Sequence, residues 1–492
     1  MIPFANIPQD LRVPLFYAEL DNSHANSGAS TLRALIIGQM TEEGTATPNV
    51  PQISQGATDA KQVGGAGSML AAMTDAYRQG DTFGEVWYLP LADHDQAVAA
   101  TGAVSISAPP TATGVLSLYI AGSLVSLRVA QTQTAGQIAT ALAAAVNLDQ
   151  NLPVTAEAED TDVTLTAKNA GLAGNGIDLR LNYLGSAGGE SLPDGMDVQI
   201  TAMAGGLLNP ELTDALANLQ DEPFEFIALP YTDTASLDAM KAFLSSKTGR
   251  WSWNQQIYGG CYAAYSGTLG DLSTFGNTRN DEHMSITGHE NSPSPPWVWA
   301  AAVTAAVSVS ASADPALPLQ TVTLPAVKAP PVESRFMISE RNVLLWDGIS
   351  TFTVQSDGTV AIDNLITTYQ LNSFGMPDDS YLQVETLNTI AHILRELKAD
   401  VTSKYARVKL AADGTRFAPG SAIVTPSVIR GSQIAKYQEL EYDGYVQKSD
   451  VFAEALIVEI NSRNPNRVDV LYPPVLINQL RIFALLFQFR LQ

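Results

Sequence analysis

Apolar and polar positions change their period several times along these 492 residues, and each change marks a different kind of structure. The opening residues set Pro3, Pro8 and Pro14 among apolar neighbours, which bars a helix and predicts an extended arm over 1–24. Within it Val13, Leu15 and Tyr17 share one face of a strand. From Arg33 the pattern becomes compact. Ala34 to Ile37 reads as a short buried strand. Ser68 reads as the cap of a helix that turns Met69, Leu70, Ala72, Met73, Ala76 and Tyr77 inward and closes at Gly80. Glu85 to Leu89 reads as the next strand, stopped by Pro90. Strand, helix, strand in so short a stretch predicts a parallel sheet.

Residues 93–206 differ in texture: rich in Ala, Thr, Ser and Gly, with Thr-alternating strands around 115–129 and 162–167 and one alanine-rich helix, Ala135 to Val146. A turn cluster, Lys168 to Gly176, precedes a strand from Ile177 to Tyr183. The α/β pattern then resumes. It gives strands at Phe224 to Leu229 and Gly259 to Tyr265, a helix at Thr234 to Ser245 (Leu237, Met240, Ala242 and Phe243 inward) and another at 296–311. Resumption on both sides predicts that 93–206 is inserted into a discontinuous core of 25–92 and 207–350. A further α+β unit, 351–475, opens with a hairpin turning at Asp357-Gly358. It continues with a long helix near 380–403, a second near 427–440, and strands 453–460 and 467–472. In the last segment, 476–492, Phe483, Leu485, Phe487, Phe489 and Leu491 alternate without a break. So apolar a strand at a terminus is an aggregation hazard unless covered. It is either an internal core strand or one donated to a neighbour, and burying five such side chains is worth roughly 7–15 kcal/mol before ordering costs.

Composition narrows the function. Apolar residues at 46% suit packed domains, charged residues are only 16%, and the net charge of −23 opposes a grip on nucleic-acid phosphates. The charge is uneven: 13 of the 27 cationic side chains fall in residues 361–492, against 14 acidic ones, so nearly all the excess negative charge lies before them. The lone Cys261 allows no intrachain disulfide. The start of the chain shows no secretory signal pattern. Trp297 to Ala313, interrupted by Thr304, Ser308, Ser310 and Ser312, reads as a buried helix and not as a stable membrane insertion.

The same residues offer little chemistry. Ser68 lacks the flanking glycines of a nucleophile elbow, and Ser246-Lys247-Thr248 lacks the glycine of a phosphate loop. Gly171 to Gly176 precedes a strand where a dinucleotide fingerprint would open a helix. His283, His289 and Glu290 are the best metal candidates, but Pro293 follows closely and a polar loop accounts for them. His392 falls within the helix pattern among apolar residues. The expectation is no catalytic residue, no metal and no cofactor.

Several stretches carry a resemblance. Ser312-Ala313-Asp314-Pro315-Ala316-Leu317-Pro318-Leu319-Gln320, Glu340 to Thr351, Asp357 to Ile362 and Ile366 to Asn372 are similar to the core motifs of contractile tail sheath proteins. Ile7 to Leu15 resembles the start of Mu-like sheath subunits, and the likeness is weakest in 93–206. The resemblance implies a multidomain α/β protein: a subtilisin-like α/β core without a working triad, a β-rich α+β insert on the outer surface, an α+β C-terminal domain facing the tube, and extended terminal arms. It implies a structural subunit polymerised as hexameric rings in a helical stack around a tail tube protein, with baseplate and tail terminator proteins as further partners and no direct contact with nucleic acid. It places the protein in the virion tail, assembled in the host cytoplasm. Each arm completes a small sheet on a neighbour, beside the hairpin of 453–460 and 467–472. Arms of about 17–20 residues would reach roughly 55–70 Å. Arg395, Lys398, Lys404, Arg407 and Lys409 become the candidates for tube contact.

Overall fold

The structure, a computed structural model, describes residues 32–491, so Val13, Leu15 and Tyr17 lie outside the described residues. The chain begins β1 (Arg33–Gln39), β2 (Gln52–Ile53), α1 (Ala57–Gly64), α2 (Met69–Gly80) and β3 (Glu85–Leu91). α2 starts where the sequence predicts, because the Ser68 side chain accepts a hydrogen bond from the Ala71 amide. β3 overruns Pro90. The Pro90 carbonyl accepts from Asn49 on the outer flank, beyond the end of the two-residue β2, so the missing N–H costs the ladder with β1 nothing.

Residues 93–206 form β4 (Thr101–Ala108), β5 (Gly114–Ile120), β6 (Ser123–Val129), α3 (Ala135–Leu148), β7 (Val154–Glu159), β8 (Asp162–Ala167), β9 (Leu179–Leu181) and β10 (Asp197–Ala204). They make two antiparallel sheets, β10-β4-β8-β7 and β6-β5-β9. α3 opens with a capping box between Thr134 and Gln137 and packs against β4, β6, β7 and β8. The strand expected at Ile177 to Tyr183 shrinks to Leu179–Leu181, since only those residues find a partner, on β5.

The chain then returns through α4 (Thr213–Ala217), β11 (Phe226–Ala228), α5 (Thr234–Leu244), β12 (Gly260–Ser266), α6 (Leu269–Gly276), β13 (Met284–His289) and α7 (Pro296–Ala313). Strands from both sides of the insert share one sheet, in the order β13-β12-β11-β1-β3-β2; all pairs are parallel except β2 with β3. Central strands of such a sheet are covered on both faces, which is why Ala34 to Gln39 are all buried. α7 carries Pro296 in its first turn and is apolar nearly all round. It packs on β12, β11, β1 and α2, and Trp299 is fully buried between His289 and Phe352. Among the described residues it is the one helix long and apolar enough to cross a membrane, and 67% of it is buried inside the fold. In α5, Leu237, Met240 and Leu244 are buried while Ala242 faces solvent, contrary to expectation; the inward stripe follows 237, 240 and 244.

α8 (Ile338–Trp346), β14 (Thr351–Val354) and β15 (Val360–Asn364) follow. This hairpin packs with the main core and not with the unit after it: Phe352, Val360 and Ile362 join the principal hydrophobic cluster, and the Leu324 amide bonds the Val360 carbonyl. The next cluster has its first buried member at Ile393. That smaller unit comprises α9 (Val384–Tyr405), β16 (Lys409–Leu410), β17 (Ile423–Val424), α10 (Pro426–Tyr442), α11 (Ser449–Ala455), β18 (Ile457–Ile460) and β19 (Val468–Leu471). Its core stacks Tyr437 on Phe452 at 3.8 Å, with Tyr472 edge-on to Phe452 at 4.6 Å. Residues 453–455 end α11 where a strand was expected; Phe452, fully buried against Tyr437, fixes the helical turn.

Candidate assembly interface

After β19 the chain is tied down twice. The Val475 amide donates to the Tyr437 hydroxyl (3.0 Å), its carbonyl accepts from Gln447 N (2.8 Å), and Ile477 N donates to Tyr445 O (3.1 Å). The backbone then reaches the segment that follows α7. Gln479 Nε2 donates to Ala316 O (3.1 Å), Gln320 Nε2 donates to Leu480 O (3.3 Å), and Arg481 Nη2 pairs with Glu385 Oε2 at 2.6 Å. Beyond Arg481 nothing is buried. Phe483, Leu485, Phe487, Phe489 and Leu491 are 70–85% exposed, and so are Ile482 (83%) and Leu486 (82%) on the opposite side. No ladder forms in this segment, although its side chains alternate as a strand requires. The β18–β19 hairpin is a two-stranded sheet with exposed Ile457 and Leu471. Two strands alone are marginal in water.

The basic side chains separate into two groups. Lys398, Lys404, Arg407 and Lys409 are exposed along the end of α9 and on β16; Lys404 pairs within the helix with Asp400 at 2.6 Å. Arg395 lies inward, 3.4 Å from Glu225 of the main core, whose side chain is 7% exposed. Burial raises the Glu225 carboxyl above its ordinary range.

His283 and His289 sit at opposite ends of β13, roughly 20 Å apart, so they do not converge with Glu290 on one ion. His289 is buried and stacked on Trp299 with both ring nitrogens unbonded, and burial pushes its pKa down to about 3. Sequence reasoning missed a different grouping: ligand atoms of Asp281, Glu282 and His283 lie within 4.8 Å of one another. Ser246 Oγ is 3.3 Å from His283 Nε2, but Asp281 Oδ1 is 3.8 Å from Nδ1, beyond a hydrogen bond that could orient the ring. Burial lowers His283 to about 4, leaving a weak base. The adjacency Asp-Glu-His was visible in the sequence; that Ser246 approaches it was not. Cys261 is buried in β12, and burial pushes its thiol well above the ordinary range.

A closed set of sheets and helices bearing an uncovered apolar tail defines a structural protein that assembles with others. Two family descriptions match the chain: the phage tail sheath protein central domain over residues 205–368 and the phage tail sheath C-terminal domain over 376–490. The Mu-like prophage FluMu tail sheath protein of Haemophilus influenzae is 39% identical over 490 residues, covering 99% of both chains. The chain belongs to the phage tail sheath family, in its Mu-like branch; it is a structural component of a contractile tail and not an enzyme. Among solved structures, the sheath tail protein of Desulfitobacterium hafniense aligns at 12% identity over 95% of this chain and 97% of its own, with a TM-score of 0.49. That of Listeria innocua aligns at 14% identity over 91% and 92%, with a TM-score of 0.47.

Proposed function

We propose that the chain polymerises as stacked hexameric rings around a tail tube, each subunit donating its C-terminal arm to the β18–β19 hairpin of a neighbour, and that contraction of this lattice drives the tube through the host envelope. One observation carries the reading: the ten residues Ile482 to Leu491, apolar but for Gln488 and Arg490, run uncovered past the last internal tie. Edge pairing would satisfy their backbone while alternate side chains cover Ile457 and Leu471. The N-terminal arm, with Val13, Leu15 and Tyr17, would flank the same hairpin from another subunit.

In this reading the discontinuous parallel sheet is a subtilisin-like core, the 93–206 unit lies outermost, and the C-terminal unit, α9 included, faces the tube. Lys398, Lys404, Arg407 and Lys409 then offer a basic face to tube subunits. Baseplate and terminator proteins would cap the stack, and assembly would take place in the host cytoplasm, where a single buried thiol is compatible with reducing conditions. No nucleotide is required if the extended lattice is metastable and contraction adds contacts between cores.

Negative-stain electron microscopy of the full chain, beside a chain ending at Arg481, tests this. Cylinders or stacked rings from the full chain that vanish on truncation are expected. Cylinders from both would overturn the role of the arm while leaving the sheath intact.

A further inference from the structure

We propose that Arg481 is the positioning residue of the C-terminal arm: its ion pair with Glu385 locks the root of the arm to the start of α9, so that the free segment begins at Ile482 and leaves the subunit in a fixed direction. The use of that segment rests on the assembly reading above; the clasp stands on geometry within one subunit. Glu385 is 1% exposed and lies in the first turn of α9, where the helix dipole favours an anion. Its Oε1 accepts from the Leu319 amide at 2.7 Å, and its Oε2 lies 2.6 Å from Arg481 Nη2. A carboxylate so deep needs a cation, and Arg481 fills that place. The guanidinium is held in turn by Gln479 Oε1, which accepts from Nε at 3.1 Å and Nη2 at 2.6 Å. The flanking amide bonds, Gln479 to Ala316 and Gln320 to Leu480, fix the backbone on both sides.

Two consequences follow. The anchored segment 314–320 caps α7, and Thr389 of α9 donates to the Pro315 carbonyl, so tension on a donated arm reaches the junction between the main core and the C-terminal unit and bypasses the hairpin. The reach is also shorter than 17–20 free residues would give. Ten residues span at most about 33–36 Å, so the acceptor strand of the neighbour lies within about 35 Å of the clasp.

Trypsin reads the clasp directly in dilute, unassembled full-length protein, since Arg481 and Arg490 are the two tryptic sites after Arg467. Mass spectrometry is expected to show rapid cleavage after Arg490 and resistance after Arg481. Glu385→Gln, which keeps an acceptor for Leu319, should speed cleavage after Arg481 by about tenfold or more, whereas Arg481→Lys should retain most of the resistance. Equal cleavage at the two arginines in the unaltered chain, or unchanged resistance in Glu385→Gln, overturns the proposal. Should Glu385→Gln fail to fold, Arg481→Met read by hydrogen exchange over residues 478–482 decides the matter: faster exchange supports the clasp and unchanged exchange overturns it. A chain that resists trypsin at Arg481 yet forms cylinders without residues 482–492 would separate the two readings, keeping the clasp and discarding donation.

Discussion

His289 enters the core as a neutral ring and can stay there only while neutral. Its folded pKa is pushed down to about 3 by burial, against an ordinary value of 6.5. The unfolded chain therefore binds the proton first, so stability is full above pH 6.5 and is lost as pH falls toward 3. His283, lowered to about 4, acts in the same direction. Asp281 opposes them: burial raises it to about 6, so the folded state gains protons over the unfolded one between 3.8 and 6. Between pH 7.5 and 5 the histidines prevail, and His289 alone costs about 2 kcal/mol by pH 5. The denaturation midpoint in urea should fall over that range, and His289→Phe, which keeps the stack on Trp299, should flatten the slope by about that amount. A slope unchanged in the variant would show that the ring is not the proton acceptor.

Between elements, the junction of core and insert is a small polar knot. Asn169 accepts from the Met69 amide at the start of α2 (2.8 Å) and donates to Met40 O (3.0 Å). Asp93 accepts from Gln39 Nε2 (2.6 Å) and from the Ala170 amide (2.7 Å). Asn169→Ala leaves two buried backbone groups unpaired, so calorimetry should record a loss of about 2–4 kcal/mol; a loss under about 1 kcal/mol would mean that water replaces the amide. This knot also marks the limit of legibility. The α2 cap, the alanine-rich α3, the apolar α7 and the Asp357-Gly358 turn were readable because each announces itself within a few residues. The knot joins residues 54 to 129 positions apart, and no local pattern encodes it. For the same reason Arg481 reads as one polar position in an apolar strand until the fold brings Glu385 beneath it. The hairpin at 351–364 packs with the main core, and its own alternation is silent about which sheet it meets.

At the scale of the whole molecule, the cations of the last quarter do two different jobs, and charge reversal tells them apart. Arg395 sits between α9 and the main core, 3.4 Å from buried Glu225, so Arg395→Glu sets two carboxylates against each other in a low-dielectric seam. Its expected result is a subunit destabilised by about 3–5 kcal/mol in urea unfolding, whatever the tube does. Lys398 is exposed, and no ion pair engages it among the described residues. Lys398→Glu should leave the unfolding midpoint within about 0.5 kcal/mol of the parent. If the C-terminal unit faces the tube, co-sedimentation of Lys398→Glu with purified tube should drop, most at low ionic strength, since contacts of this kind are screened over about 8–10 Å at physiological salt. Undiminished co-sedimentation at low salt would assign Lys398 to solvent and move the tube-facing surface elsewhere. A fall for Arg395→Glu alone would reflect the lost seam between units, which is why the two variants belong in the same experiment.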